Sequence, residues 1–483
     1  MAITIAKQPN LLGVANNNNL FIATSNSSSR PQYKTVVDIS NFNAPSTRLQ
    51  RIKQQPNLNG YSVFDVGIVL QDLLFDSVPL SINPGRWRIS TTEAMRYVVR
   101  IGEEWGTSTS SSVVLTPGNT GSAGNPIVSG SNFYFVWNGT ANPQDKLAPS
   151  ATSYNWNTGT RPYLPSPLNA SKWFPSTATP TVTPLTFTRN ICLTDMPRTI
   201  SLASTDLLGV SFLQGNNDAT FGITNQAQDV YAYQILWYDA ANNVLGTDTQ
   251  YNLTSNGGGP RAVATDTWAS STATFSDPAN GYKYGLMSVA IGPGHTQFSS
   301  WANSNWSYAN VYFFAQLDSG PTIDDVAVWD QFRINRTYKQ CDYGGIRLAW
   351  KNYYGVFDYY TFNLQLDRNN TITRQSYEQN PVPYSVTATP FAMDRTRRGN
   401  KQYYNTIQQT WTANSDWLDT QTANWLRELF FSTNVYYYDE NYSSWLACTI
   451  TSADVIEKTN PISQKLFNYA IQIQPALQPN PRL

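Results

Sequence analysis

Residues 346–367 read IRLAWKNYYGVFDYYTFNLQLD and carry the clearest folding pattern in the chain. Apolar and polar residues alternate on both sides of an Asn-Tyr-Tyr-Gly turn at 352–355, and the second alternating run covers residues 360–367. The first run points its large apolar side chains to one face: Ile346, Leu348 and Trp350. A period of two is typical of strands that bury one face and leave the other in water. The stretch therefore predicts an antiparallel hairpin with one solvated face.

Strand patterns of the same kind extend outward from this hairpin in both directions. They lie at residues 33–39, 97–101, 133–137, 231–238, 282–291, 308–317 and 467–473. Two segments break the alternation and predict short helices. One lies near residues 64–75 with Asp65 as the candidate cap, and the other at 421–431 with Thr420 as the candidate cap. The sequence thus predicts an all-β, multi-domain chain, β-sandwich-like or jelly-roll-like, with one or two short helices.

The composition favours strands and excludes several classes of protein. Of the 483 residues, 13% are charged and 13% are aromatic, whereas globular proteins average roughly 25% charged residues. Aromatic residues favour strands, and a net charge of zero gives no electrostatic footprint for nucleic acid. No run approaches the roughly 18 apolar residues of a membrane-spanning helix. The N-terminus also lacks the pattern of a secretory signal, so we expect neither nucleic-acid binding nor membrane insertion.

Shifts in composition divide the chain into four segments. We expect an N-terminal β-rich domain at 1–142, a Pro/Ser/Thr-rich extended linker at 143–187, a middle β-sandwich domain at 188–320 and a C-terminal β-rich domain at 321–483. Proline spacing in the linker prevents a continuous strand ladder and favours extended chain. The last domain ends in a Pro-rich tail from Pro475, which we also expect to be extended.

Residues that could carry catalysis or bind metal are sparse. The single histidine, His295, lies in a Gly-Pro-Gly-His turn, which predicts a loop residue without the partners of a triad or metal site. Glu103 and Glu104 are adjacent on a strand, so they point to opposite faces. The aspartates at 324–330 are typical of a solvated loop, with a cation site or catalysis as alternatives. We expect no catalytic residue, metal site or cofactor. Three widely spaced cysteines are predicted to be buried thiols: Cys192, Cys341 and Cys448.

Two sets of residues are candidates for binding. In the middle domain, aromatic rings among amide side chains favour core or interface packing, with stacking on a sugar ring as the alternative: Trp268, Trp301, Trp306 and Tyr308. A basic run favours a solvated loop, with contact to an acidic patch on an adjacent subunit as the alternative: Arg395, Arg397, Arg398 and Lys401.

Three groups of segments resemble virion proteins of tailed bacteriophages, particularly podovirus-like and crAss-like phages of Bacteroidetes hosts. The first comprises Pro9-Asn10, residues 33–40, 49–53, 64–66 and 73–74; the second comprises 102–105 and 133–139; the third comprises 344–358 and 424–432. These motifs are patterns of packing and turn residues, and the middle domain shows no such resemblance.

The resemblance implies a structural component of the virion, made in the host cytoplasm, and we favour the tail over the capsid as its location. A ring, tip or fibre-attachment subunit would bind other virion proteins and copies of itself. The alternatives are a virion-surface protein that binds host glycan, a polysaccharide depolymerase, and a head-surface or head-fibre protein. The resemblance carries no active-site residues to this chain, and we expect no enzymatic activity.

Overall fold

A computed structural model describes eight stretches of the chain. They are residues 3–139, 192–215, 230–251, 284–316, 326–337, 345–379, 399–452 and 468–477, with gaps at 8, 10–11, 17–18, 42–46, 75–77, 85–86, 91–92, 110–113, 117–133 and 303–304. Strands dominate these residues and the helices are short, so the prediction of an all-β, multi-domain fold is confirmed. The predicted linker at 143–187 lies outside the described residues.

The chain forms two compact units. Unit 1 comprises residues 1–338 and 351–359, and unit 2 comprises residues 339–350 and 360–483. The chain therefore leaves unit 2 after Trp350 and returns to it after Tyr359.

Four sheets make up the described part of unit 1. The first has the order β1-β3-β6, with β1 at Ile3–Lys7, β3 at Leu20–Ser25 and β6 at Tyr61–Asp65. The second has the order β2-β10-β8-β4-β5 with β9 also paired to β8; its strands are β2 (Leu12–Val14), β4 (Lys34–Asn41), β5 (Arg48–Gln54), β8 (Ala94–Trp105), β9 (Val114–Thr116) and β10 (Tyr134–Trp137). The third has the order β12-β15-β7, with β7 at Trp87–Ser90, β12 at Gly209–Gly215 and β15 at Tyr284–Ala290. The fourth has the order β11-β17-β16-β13-β14; its strands are β11 (Thr199–Leu202), β13 (Val230–Tyr238), β14 (Val244–Tyr251), β16 (Tyr308–Gln316) and β17 (Val326–Arg336).

The first two sheets bury their apolar rows in one core. Tyr134 stacks on Tyr97 at 5.2 Å between ring centroids, and the edge of Phe21 meets Tyr134 at 5.4 Å. Tyr354 and Val356, from the segment 351–359, belong to the same core. Large buried rings of this kind contribute about 1.5–3 kcal/mol each to the free energy of folding.

The domain boundaries predicted near residues 142 and 320 do not coincide with the boundaries of these two units. Strand β7, from the predicted N-terminal domain, pairs with β15 of the predicted middle domain. Leu193 and Leu286 also enter the N-terminal core. Changes in composition show where low-complexity sequence begins, but they do not show which strands pair across it.

A seven-stranded sheet forms most of unit 2, in the order β19-β18-β22-β23-β24-β21-β20. The strands are β18 (Ile346–Lys351), β19 (Phe357–Phe362), β20 (Leu366–Glu378), β21 (Asn400–Asn414), β22 (Val435–Asp439), β23 (Ser444–Ile450) and β24 (Ala470–Pro475).

The hairpin predicted at 346–367 turns where expected, but it lacks the predicted solvated face. The backbone N–H of Asn352 donates to the carbonyl of Val356 at 2.8 Å. However, β18 is buried on both faces, and Arg347 donates a hydrogen bond to Thr361 inside the unit. The return strand β19 ends at Phe362, and Leu366 already begins β20. The prediction of one wet face for this hairpin is therefore wrong.

The helices lie close to their predicted positions, with different caps or bounds. Helix α1 covers Gly67–Leu73, because the preceding residues belong to β6. Two short helical turns follow β15, a 3₁₀ turn at Thr296–Phe298 and α2 at Ser299–Ala302. Helix α3 covers Thr420–Phe431, and its cap is Asp419, whose side chain accepts a hydrogen bond from the backbone N–H of Thr422 at 2.7 Å. Trp425 of this helix packs on Trp350 at 5.1 Å.

Candidate functional site

A two-stranded ribbon of unit 2 has exposed residues on both faces, although Asn405, Ile407 and Gln409 of its second strand are half-buried. Strand β20 pairs antiparallel with β21 along its whole length, and every residue of β20 after Leu366 is exposed. β24 joins the other edge of β21 only from Trp411 to Asn414. Residues 369–378 and 400–410, here called the arm, therefore form a ribbon of two strands with no third described strand beside it. At about 3.3 Å per residue, the arm is roughly 30 Å long.

The register divides the arm into two different faces. On one face Ile372 pairs with Ile407, and the row continues to the buried side chain of Trp411, which lies opposite Arg368. We call this the Ile face. The opposite face, called the Thr face, carries uncharged polar pairs in its middle: Asn369–Thr410, Thr371–Gln408 and Thr373–Thr406.

The arm contributes little to the stability of an isolated molecule. An isolated two-stranded ribbon is marginally stable in water, and a hydrophobic covering or a third strand is needed for independent stability. The arm nevertheless exposes Ile372 by 44%, Tyr403 by 62% and Tyr404 by 53%. Its polar side chains are mostly Asn, Gln and Thr, which can donate and accept hydrogen bonds across an interface. These properties make the arm the candidate contact surface.

The basic run favours a solvated loop over a subunit contact, but one of its four residues lies in a strand of the arm, which corrects the loop prediction for that residue. Lys401 is exposed on β21, directly opposite Tyr377 of β20. The other three lie outside the described residues: Arg395, Arg397 and Arg398. The arm itself was missed from the sequence, because polar residues on both faces of a strand resemble a loop. The available signal was a long β-prone polar run, NNTITRQSY at 369–377, without glycine or proline.

The described members of the aromatic set, for which sugar stacking is the alternative to core or interface packing, do not form one surface. Trp306 is fully buried, and its ring meets Trp237 edge to face at 5.2 Å. The ring therefore has no face open to a sugar, so the favoured prediction of core packing is correct for Trp306 and the sugar-stacking alternative is excluded there. Trp268 lies outside the described residues.

Trp301 and Tyr308 lie on opposite faces of the five-stranded sheet. The ring of Trp301 fills the space that a side chain at Gly246 would take, next to the inward-pointing Trp237. Tyr308 points outward and stacks on Tyr238 at 4.6 Å.

Both faces of the Tyr308 ring are in contact with other groups. Tyr238 covers one face, and the guanidinium of Arg333 lies over the ring at 3.9 Å. The Tyr308 hydroxyl donates to Asn242 at 3.0 Å. A pyranose needs an open aromatic face, so this arrangement presents ring edges rather than a stacking platform.

The buried carboxylates have structural partners. Glu104 forms an ion pair with Lys53 at 2.7 Å, whereas Glu103 accepts hydrogen bonds from Ser25 and Tyr33. The prediction that these two neighbours point to opposite faces agrees with their different partners. In the acidic group at 324–330, Asp330 is buried beside Arg198 at 3.2 Å, which corrects the solvated-loop prediction for this residue.

His295 lies in the connection after β15, which confirms the prediction of a loop residue, and its side chain is buried. Its Nδ1 lies 3.1 Å from the carbonyl of Ser81, and its Nε2 lies 3.1 Å from the carbonyl of Leu208. It therefore fixes the connection after β15 to two other segments.

Cys192 and Cys448 are buried free thiols, as predicted, and Cys341 lies outside the described residues. Burial raises the pKa of the Cys448 thiol to about 12. It therefore remains protonated at neutral pH.

Part of unit 1 encloses a cavity with room for about one water molecule; its polar lining includes Glu93, Ser211 and Ser288. No group of three His, Cys, Asp or Glu side chains within the described ranges is arranged to hold a metal ion. None of the described helices is long and apolar enough to cross a membrane.

The sequence matches no protein-family model, and no curated protein matches it.

Proposed function

We propose that this chain is a structural subunit of a tailed-bacteriophage particle, located in the tail, and that it acts by protein–protein assembly rather than catalysis. The arm is the observation that carries the proposal, because a two-stranded ribbon with exposed isoleucine and tyrosine on its surface gains stability when another protein covers it. The resemblance of the sequence to phage virion proteins supplies the biological setting. In that setting the chain binds other virion proteins and copies of itself.

The composition supports the same role. Interfaces are enriched in Tyr, Trp and Phe and depleted in Lys and Glu, and this chain has 29 Tyr, 15 Trp and 13% charged residues. On the arm, Tyr377, Tyr403 and Tyr404 are all exposed. Their rings offer large contact areas at low cost in side-chain entropy.

The oligomeric state of the purified chain tests the assembly role. We expect light scattering on a sizing column to give a defined multiple of the 54.0 kDa chain mass. Ile372→Lys places a charge on the Ile face of the arm and should reduce the mass towards that of one chain. The matched control is Ile68→Lys, because Ile68 is 65% exposed on α1 in the other unit. If both variants keep the wild-type mass, or both lose it, the arm is not the contact.

Particle composition tests the biological setting. We expect the chain to be present in purified particles of the phage that encodes it, at a fixed copy number per particle measured by quantitative mass spectrometry. Particles that are complete and infectious without the chain would contradict the proposal. Binding to host glycan by the monomer would instead favour the receptor alternative.

A further inference from the structure

Within the part of the chain that the structure describes, no strand pairs with the outer edge of β20. β20 is the last strand of its sheet, with β21 on one side and no described strand on the other. Its sequence, LDRNNTITRQSYE, contains no proline or glycine. The register shift at Gln375/Ser376 leaves the additional residue, Tyr403, in β21 rather than β20. Proteins usually block such edges with proline, bulges or covering loops, so this edge has the form of a strand that pairs.

The charges of β20 are self-complementary. Arg368 and Glu378 lie near opposite ends of the strand, and both are exposed. They are an even number of residues apart, so they point to the same face of the strand. Among the described residues, neither forms an ion pair. Thr373 lies midway between them.

We propose that β20 pairs antiparallel with β20 of a second copy, about a two-fold axis that passes beside Thr373. This inference deepens the proposed assembly role and rests on it. In this register Arg368 of each copy lies opposite Glu378 of the other, and the two Thr373 residues face each other. Thr371 lies opposite Gln375, and Asn370 lies opposite Ser376. Opposite charges and Thr–Thr contacts are favourable cross-strand pairs.

Neighbouring registers are less favourable, because they place like charges opposite each other or form no charge pair. A two-fold axis at Arg374 places the two Arg374 side chains directly opposite each other, and an axis at Thr371 pairs Arg368 with Arg374. An axis at Ile372 opposes no like charges, but it forms no charge pair. Like charges directly opposite each other destabilise a ladder, so the charge pattern selects the register centred on Thr373.

A single cysteine tests this geometry in the full-length chain. At Thr373→Cys the two sulfurs would lie across the axis, because directly opposite Cα atoms are about 4.5–5.5 Å apart and a disulfide spans about 4.4–6.8 Å. We expect rapid formation of a disulfide dimer under mild oxidation, measured by non-reducing electrophoresis. The wild-type chain gives the background from the native cysteines.

Ile372→Cys and Arg374→Cys are the matched controls. Each is one residue from the axis, so its copy in the partner lies about 8 Å away diagonally, beyond the reach of a disulfide. Each variant alone should stay at background, whereas a mixture of the two should cross-link, because these positions lie opposite each other. Equal cross-linking at all three positions, or none at Thr373→Cys, would overturn the pairing.

Reversing the charges at Arg368 and Glu378 tests whether these charge pairs determine the register. In the Thr373→Cys chain, adding Arg368→Glu or Glu378→Arg should slow dimer formation roughly fivefold, as expected from losing two cross-strand charge pairs. Both reversals together should restore the rate, because they exchange the charges without removing the pairs. An unrestored rate in the double reversal would contradict the proposed register.

Light scattering separates failure of this inference from failure of the proposed function. An oligomer without cross-linking at Thr373→Cys overturns edge pairing and leaves the assembly role in place. A monomer without cross-linking contradicts both self-assembly and this pairing.

Discussion

In the turn after β18, the backbone of Gly355 lies directly against the backbone of Asn138. The φ of Gly355 is +77°, and a Cβ there would overlap the carbonyl of Asn138. Gly60 has nearly the same φ, +79°, but has open space around it. Comparing alanine substitutions at these two glycines therefore separates the free-energy cost of a positive φ from the free-energy cost of the steric clash with Asn138.

We expect Gly60→Ala to lower the free energy of unfolding by about 1 kcal/mol, the cost of a left-handed residue with a side chain. Gly355→Ala should lower it by more, about 3 kcal/mol or above, because the clash is added to that cost. Urea unfolding followed by tryptophan fluorescence measures both. Equal losses in the two variants would show that the close approach to Asn138 costs nothing.

Asp330 gives a pH-dependent prediction. Burial raises the pKa of its carboxyl above the usual range, although Arg198 and the backbone N–H groups of Cys192 and Gln331 favour the charged form. A carboxyl whose pKa is higher in the folded chain binds its proton more tightly when folded. Its contribution to stability is complete below about pH 4, the ordinary Asp range, and is lost as the pH rises through the raised pKa. Asp330→Asn cannot ionise, so its stability relative to wild type should rise between about pH 4 and pH 7.

Asp239 is the control with the opposite sign. Hydrogen bonds from Asn243 and Ala241 lower the pKa of this exposed carboxyl. Its contribution is therefore present above the ordinary Asp pKa and is lost as the pH falls. As the pH falls from about 5 to below 4, Asp239→Asn should therefore gain stability relative to wild type, whereas a fall in pH makes Asp330→Asn lose stability relative to wild type. Differences of the same sign in the two variants, measured by urea titration at several pH values, would refute the assignment.

At the scale of the element, helix α3 shows what sequence patterns can and cannot predict. The apolar face formed by Trp425, Leu426 and Leu429 predicts the helix correctly, because helical spacing follows from burial on one side. The cap was placed one residue late, at Thr420 instead of Asp419. Asp and Thr are both good caps, so the choice depends on backbone geometry that the sequence does not contain.

The two candidate caps of α3 can be distinguished by substitution. Asp419→Ala should lower the free energy of unfolding by about 1 kcal/mol, because it removes the acceptor for the backbone N–H of Thr422. Thr420→Ala should change it by less than about 0.5 kcal/mol, since alanine is favourable in the first turn. Thermal or urea unfolding would measure both, and a larger loss at Thr420 would reverse the assignment.

The strands illustrate a second limit on prediction. The alternating pattern predicts the hairpin turn at 352–355 correctly. It does not predict that β18 is buried on both faces, because charged residues such as Arg347 and Lys351 in an alternating pattern indicate a solvent-exposed face. Conversely, the arm alternates polar residues on both faces and gives no burial signal at all. Residue type alone also leaves two alternatives open for Trp306, core packing and sugar stacking, and only the buried position of its ring decides between them.

At the scale of the whole molecule, unit 1 depends on a segment that is distant in sequence. The indole Nε1 of Trp137 donates to the carbonyl of Tyr354 at 3.0 Å, and Asn352 donates to the carbonyl of Leu193 at 2.9 Å. Tyr354 and Val356 complete the N-terminal core. The fold of this unit could not be assigned from composition, because the segment 351–359 that completes its core lies far beyond the Pro/Ser/Thr-rich stretch at 143–187.

A chain that ends at residue 338 should therefore be less stable than the intact unit 1. It lacks residues 351–359, so the indole of Trp137 loses its hydrogen-bond acceptor and the core loses a buried tyrosine and valine. We expect the urea midpoint of this truncated chain to fall well below that of the first transition of the full chain. A chain truncated after residue 360 should recover most of the loss, and equal midpoints for the two truncations would show that the segment does not stabilise unit 1.

The position of the segment 351–359 in the sequence also determines when unit 1 can fold during translation. Domains generally fold in order as they leave the ribosome, but the N-terminal core here lacks Tyr354 and Val356 until residue 359 has been made. During that interval the core is less stable, so its apolar residues are more accessible to chaperones and to neighbouring nascent chains. Termination of synthesis between residues 338 and 351 would thus release a product that contains the rest of unit 1 but lacks the segment that completes its core.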